Sequence, residues 1–240
     1  MRALHSILKR IVQFGMILTL GATMNANAGW FGFGGDSWNE EVLLHYGQKI
    51  IVKRSQSYGG MGEIGQGAPI KEYHLVFVLP NSGKSIEWKS EYSEDVGRAN
   101  LHPLALHVLN GIPYVIAEPN LCLAYNKWGR PNPPYVIFKY GGKEWQRITI
   151  QELPIEFKTI NLVNNTKSHA EQLEKSSPVS AEAVQEFNRS LPQPEYKTIL
   201  REALAKERIN EMCMEMIRYK GYWIMPNDPV ARGMVDRKTK

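Results

Sequence analysis

Cys122 and Cys213 are the two cysteines of the 240-residue chain. They lie far apart, so no CxxC motif for redox or zinc chemistry is present. In an oxidising compartment such a pair reads as a disulfide. Bridging it closes a loop of roughly 90 residues, which the chain-entropy model values at about 4–5 kcal/mol. Two buried thiols packing as small apolar groups are the alternative.

The histidines beyond the leader are His45, His74, His102, His107 and His169. They form no HExxH and no metal-ligand spacing with cysteine, so no metal site is expected. No GxSxG elbow marks a serine nucleophile. Gly83-Lys84-Ser85 imitates the end of a P-loop, but Val78 stands where the earlier glycine belongs and no helical pattern follows. The glycines between residues 55 and 69 lead into a strand-like run at 73–79, which fits a β–β connection rather than a phosphate cradle. Glu91, Glu94 and Asp95 lack the ligand spacing of a calcium loop. The residues point to no cofactor.

Aromatic residues remain. Tyr125, Trp128 and Tyr135 bracket the proline-rich stretch 126–134, with Arg130 and Asn132 among them. Three prolines in four residues fix φ and remove donors, so a stiff, exposed loop is expected. Flat rings on such a loop suit a sugar ring or a peptide. The alternative is that they tuck back over the sheet and cover the core. These five residues are the candidate ligand-binding set.

Paired β-hairpins must position that loop. Residues 104–109 and 112–117 flank Asn110-Gly111, the strongest short hairpin signal, because both turn residues tolerate positive φ. Counting outward places Leu109 opposite Ile112, His107 opposite Tyr114 and Leu106 opposite Val115. Pro113 then faces Val108 with nothing paired on its other side, so an edge or bulge is expected there. A second hairpin around Gly141-Gly142 places Phe138 opposite Trp145 and Lys139 opposite Glu144. Residues 121–125 read as a strand between the two hairpins. A further hairpin joins residues 41–44 to 49–54.

The C-terminal part changes character. Residues 167–177 read as a polar linker. Ser177-Pro178 suits a cap and first position for a short helix over 181–188. Ile209, Met212, Cys213, Met216 and Ile217 follow a 3.6-residue period within a longer helical segment, 195–219. Gly221 marks a stop, residues 222–226 return as a strand or apolar tail, and the last residues read as frayed.

The N-terminus carries Arg2, Lys9 and Arg10, a short apolar run and Ala26-Asn27-Ala28. That pattern is a secretory signal peptide cleaved after Ala28. The run is too short for an uncleaved span of about 20 apolar residues. Those three account for part of the 29 basic residues, leaving 26 against 24 acidic ones, which removes the case for nucleic-acid binding on charge.

The expected fold is α+β, with an antiparallel, hairpin-rich N-terminal part (sandwich or meander) followed by a small helical part. The expected organisation is a signal peptide at 1–28, a flexible start at 29–37, a β domain at 38–162, a linker at 163–177 and a helical region at 178–240 packing on the β domain. The expected function is an exported, non-enzymatic binding or structural protein of the bacterial envelope, periplasmic or extracellular. Its partner would be an envelope glycan or protein, and it would keep no stable membrane span after cleavage. The alternative is a secreted hydrolase with acid and base residues from separate loops, such as Glu63, Asp95 or His102. A concave pocket holding a histidine or two carboxylates favours the enzyme, and a flat face bearing Trp128 and Tyr135 favours binding.

Overall fold

The computed structural model describes residues 35–60 and 67–239. The expected signal peptide and cleavage site, most of the glycine-rich start and Glu63 lie outside the described residues. Within them the chain is α+β, with twelve strands in antiparallel pairs, mostly N-terminal, and five α-helices, mostly C-terminal.

Strands β1 (Gly35–Leu43), β2 (Lys49–Tyr58), β3 (Ile70–Val78) and β4 (Ser85–Lys89) form one meander in chain order. Strands β7 (Leu101–Leu109), β8 (Ile112–Pro119), β9 (Val136–Tyr140) and β10 (Trp145–Ile148) form a second. A short ribbon, β5 (Tyr92–Ser93) and β6 (Arg98–Ala99), lies between them in sequence. Alternate residues of β2 and β4 are buried, the period of a sheet with one face inward. Val52, Leu75, Phe77 and Trp88 of the first sheet share a core with Leu106, Val108, Val115 and Val136 of the second. The two meanders therefore pack face to face as a sandwich. Fully burying each such side chain contributes about 1.5–3 kcal/mol.

β7 is buried on both faces. Its second face, with Ile116 and Ile137, meets Leu153, Phe157, Ile160 and Ile199 from later, largely irregular chain. Arg201 holds part of that cover together by donating to the carbonyls of Ile150, Leu153, Pro154 and Phe157. A third cluster, Trp38, Val163, Leu173, Val179 and Val184, seats helices α2 (Thr166–Lys175) and α3 (Ala181–Arg189) against β1.

The Asn110-Gly111 hairpin has the expected register, with φ of 51° and 74° at the turn. The β8–β9 ladder starts at Tyr114, so Pro113 has no partner on that side. The bulge falls instead between Pro103 and Ala105. The β9–β10 register differs from the expected one by two residues: Trp145 faces Tyr140, and Arg147 faces Phe138. Gly142 has φ of +90° whereas Gly141 does not take positive φ, so the tight two-residue turn does not form and residues 141–144 make the loop. A slip of two preserves the face of every side chain. Phe138, Tyr140 and Trp145 all still pack against the first core.

Several expectations are corrected. Residues 35–37, read as a flexible start, belong to β1, and β2 runs on to Tyr58. The strand expected at 121–125 is helix α1 (Leu121–Lys127), stopped by Gly129 at φ +82°. Its Leu, Ala and Lys content favours helix, and it buries Ala124 and Tyr125. The polar linker at 167–177 is mostly α2, whose single buried apolar anchor, Leu173, is too sparse a stripe to stand out. Helix α3 is capped by Ser180, whose hydroxyl accepts the Ala183 N–H at 3.2 Å, not by Ser177.

The long helix expected over 195–219 is only α4 (Lys206–Met212), preceded by a 3₁₀ turn at Pro194–Tyr196. Cys213 is extended, with φ −153°, and bonded to Cys122, which ends the helix there. Strand β11 (Ile217–Tyr219) then pairs with β12 (Tyr222–Ile224) around Lys220-Gly221, so Gly221 turns a hairpin. The frayed tail is helix α5 (Pro229–Lys238), capped by Asp228. Among the described residues no helix is long and apolar enough to cross a membrane.

Candidate functional site

The proline-rich loop does not display its rings. Tyr125 and Tyr135 are 3% and 5% exposed, and Trp128 packs against the first core. The Tyr125 hydroxyl donates to the Pro131 carbonyl at 3.0 Å. The Tyr135 hydroxyl donates toward the carbonyls of Glu195 and Thr198 and accepts the Leu200 N–H. Burial raises the pKa of both phenols, so both stay protonated donors. The correction has a simple cause. A tyrosine with a buried hydroxyl partner gains both ring burial and a hydrogen bond, and an exposed loop offers neither.

Arg130 and Asn132 brace neighbouring chain. Asn132 pairs with both backbone groups of Leu204, at 2.9 and 2.7 Å. Arg130 reaches the Cys213 carbonyl at 2.9 Å and stands over the Tyr125 ring. Asn126, next to them, donates to the Cys122 and Met214 carbonyls and accepts the Met216 N–H. The Cys122–Cys213 disulfide lies in the same seam, with Cα atoms 5.2 Å apart. Arg130 and Asn132 of the expected set, together with Asn126, thus fasten residues 204–216 to α1 and its loop.

That fastening makes a wall. A cleft of about 960 Å³ is lined by the end of β8 and the start of α1, by Val96 and Arg98, and by residues 192–196 with the end of α4. The disulfide lies in its lining, and so do Tyr125 and Pro134 from the expected set. Trp128, Arg130, Asn132 and Tyr135 do not line it.

The polar groups of the cleft come from distant chain. Glu118 on β8 sits directly across the ladder from His102 on β7, with Nδ1 and Oε1 3.3 Å apart. The His102 ring stacks on Tyr73 at 4.9 Å, and its Nε2 is buried with no partner among the described residues. Burial raises the Tyr196 phenol well above its ordinary value, and its hydrogen bond to Glu118 adds to the effect. Glu195 is 2% exposed and meets Arg208 at 3.4 Å. These residues carried no local pattern to find them by. The Pro192 and Pro194 that flank Gln193 mark a stiff segment in the sequence, but nothing there ties it to β8.

Of the acid–base residues considered from sequence, His102 stands behind the cleft beside Glu118. Asp95 is spent in an ion pair with Lys127 at 3.1 Å. Burial would raise its carboxyl, and the Ser93 hydroxyl, Lys127 and Arg218 outweigh that and hold it below the usual carboxylate range. Among the described residues no group of three or more histidine, cysteine, aspartate or glutamate side chains is placed to hold a metal ion.

No protein-family model, no curated protein and no solved structure matches this chain.

Proposed function

We propose that this chain is an exported, non-enzymatic binding protein of the bacterial envelope, and that the cleft between α1 and residues 192–213 is its ligand site. The observation that carries the reading is a cleft of about 960 Å³ with a covalent staple in its wall. That volume lies at the upper end of the range for small-molecule sites. A wall held by a disulfide and by side-chain amides loses little freedom when a ligand arrives, which keeps the cost of binding low.

The disulfide accords with an oxidising compartment. The basic start, short apolar run and Ala26-Asn27-Ala28 support a leader removed after Ala28. The ligand is then a small molecule or short polymer met in the envelope, with glycan and polypeptide as the leading classes. A secreted hydrolase is the second reading. It rests on the concave cleft with the carboxylates of Glu118 and Glu195 in its lining, the arrangement that favours an enzyme, and on His102 beside Glu118, which suits proton transfer.

The test is native and denaturing mass spectrometry of the protein taken from its host's envelope fraction. The expected result is a chain lacking residues 1–28, two hydrogens lighter than the reduced form, carrying a bound mass that Met212→Trp removes. A full-length, reduced chain overturns the export reading. Turnover of the bound compound that Glu118→Gln abolishes without loss of retention replaces binding by hydrolysis.

A further inference from the structure

Resting on the cleft as ligand site, we infer that its ligand is a zwitterion of oligopeptide size, with its ammonium group on Glu118 and Glu195 and its carboxylate on Arg98. The argument starts from under-used charge. Charge-assisted N–H···O bonds ordinarily run about 2.7–2.9 Å. Glu195 is 2% exposed, yet its carboxylate oxygens meet Arg208 only at 3.4 and 3.5 Å, and no other partner for them exists among the described residues. Arg208 itself is 44% exposed on its side chain, a loose partner for a buried anion. Glu118 has two partners, the His102 imidazole at 3.3 Å and the Tyr196 hydroxyl. A carboxylate accepts about four hydrogen bonds, so both glutamates, which line the cleft, retain accepting capacity.

Three donors on one ligand ammonium match that capacity. Arg98, on β6, lines the cleft and makes no ion pair among the described residues. A purely cationic ligand would meet this guanidinium unmatched, and a purely anionic one would meet the two glutamates. A molecule with both termini free satisfies both poles. About 960 Å³ is far more than one free amino acid fills, which sets the size at a short peptide.

The experiment uses the purified full chain and three pools of random tetrapeptides: unblocked, N-acetylated and C-amidated. Retention is read by native mass spectrometry and equilibrium dialysis. The unblocked pool is retained, and each blocking group weakens retention about tenfold or more, the loss expected when a charged hydrogen-bonding pole goes unpaired. Arg98→Gln weakens the unblocked pool and no longer distinguishes the amidated one. Glu195→Gln does the same for the acetylated pool. Because Glu195 is buried, its variant is first checked by circular dichroism, and Arg98→Gln alone carries the test if that variant does not fold. Equal retention of blocked and unblocked peptides, or retention of none of the pools, overturns the inference. If Met212→Trp still strips an envelope-derived ligand while unblocked peptides are not retained, the zwitterion falls and the cleft stands. If Met212→Trp leaves that ligand in place, the cleft itself falls as the ligand site.

Discussion

The side-chain amide of Asn161 pairs with both backbone groups of Leu106: its Oδ1 accepts the Leu106 N–H at 2.9 Å and its Nδ2 donates to the Leu106 carbonyl at 2.8 Å. The same Nδ2 donates to the Leu43 carbonyl at 3.0 Å, at the end of β1. One buried residue thus extends the ladder of β7 and ties the two sheets together. Asn161→Leu keeps the volume and leaves the Leu106 pair unsatisfied. Each orphaned buried group costs about 1–3 kcal/mol, so a loss of about 2–6 kcal/mol is expected. Urea unfolding measures it, and an unchanged midpoint contradicts the role.

The disulfide joins residues 91 apart in sequence. Cys122→Ser with Cys213→Ser should cost about 4–5 kcal/mol by chain entropy. It should also raise hydrogen exchange around residues 204–216, where the remaining braces are hydrogen bonds from Asn126, Arg130 and Asn132. Exchange that stays as slow as in the oxidised chain would show the braces to be sufficient alone.

Arg54 and Glu40 form an ion pair at 2.8 Å with side chains 1% and 0% exposed. Glu40 also accepts from Trp38 and the Val163 N–H, and Arg54 donates to the Val163 carbonyl. Removing one partner strands the other, so Arg54→Met should destabilise by about 3–5 kcal/mol. Glu40→Gln with Arg54→Met should recover part of that loss. A double-mutant cycle in denaturant reads the coupling, and strict additivity refutes it.

His107 is fully buried, its ring stacked on Phe157 at 4.6 Å and its Nε2–H donating to the Thr159 carbonyl. Burial pushes its pKa down to about 4 from the ordinary 6.5; the Thr159 bond opposes this, and His45 and Arg201 add to it. The folded value lies below the unfolded one, so the unfolded chain binds the extra proton first. Stability from this group is complete above pH 6.5 and is lost as pH falls towards about 4. A shift of this size corresponds to roughly 3 kcal/mol. His107→Gln should lose that much less than the parent between those limits. Parallel acid-unfolding curves for the two proteins would falsify the assignment.

What the sequence disclosed was local. Asn110-Gly111 specifies a turn by its own conformational freedom, and the flanking apolar runs then count off the correct pairs. Ser180 and Asp228 are ordinary helix caps, but Ser177-Pro178 offers a competing cap signal and the polar tail after Asp228 has too sparse an apolar stripe to mark a helix. The apolar period at 209–217 belongs to a chain segment that tertiary contacts divide, since Cys213 must extend to reach Cys122. Tyr135 gave no sign of facing inward, because its hydroxyl partners at Thr198 and Leu200 lie more than sixty residues away in the chain. The cleft was least legible. Arg98, Glu118, Glu195 and Arg208 are single charged residues on four separate segments, and only the fold brings them to one cavity.

The outer edge of β1 is closed by Val179, which bonds the Glu41 N–H and the Asn39 carbonyl at 2.8 Å each, and the edge of β7 by Asn161 and Leu162. Both seals come from chain that emerges after the strands they protect. Without that later chain the two meanders present bare ladders, the form in which neighbouring copies join edge to edge. A chain truncated before residue 160 lacks both seals, so the outer edges of β1 and β7 stay unpaired and open to association with other copies.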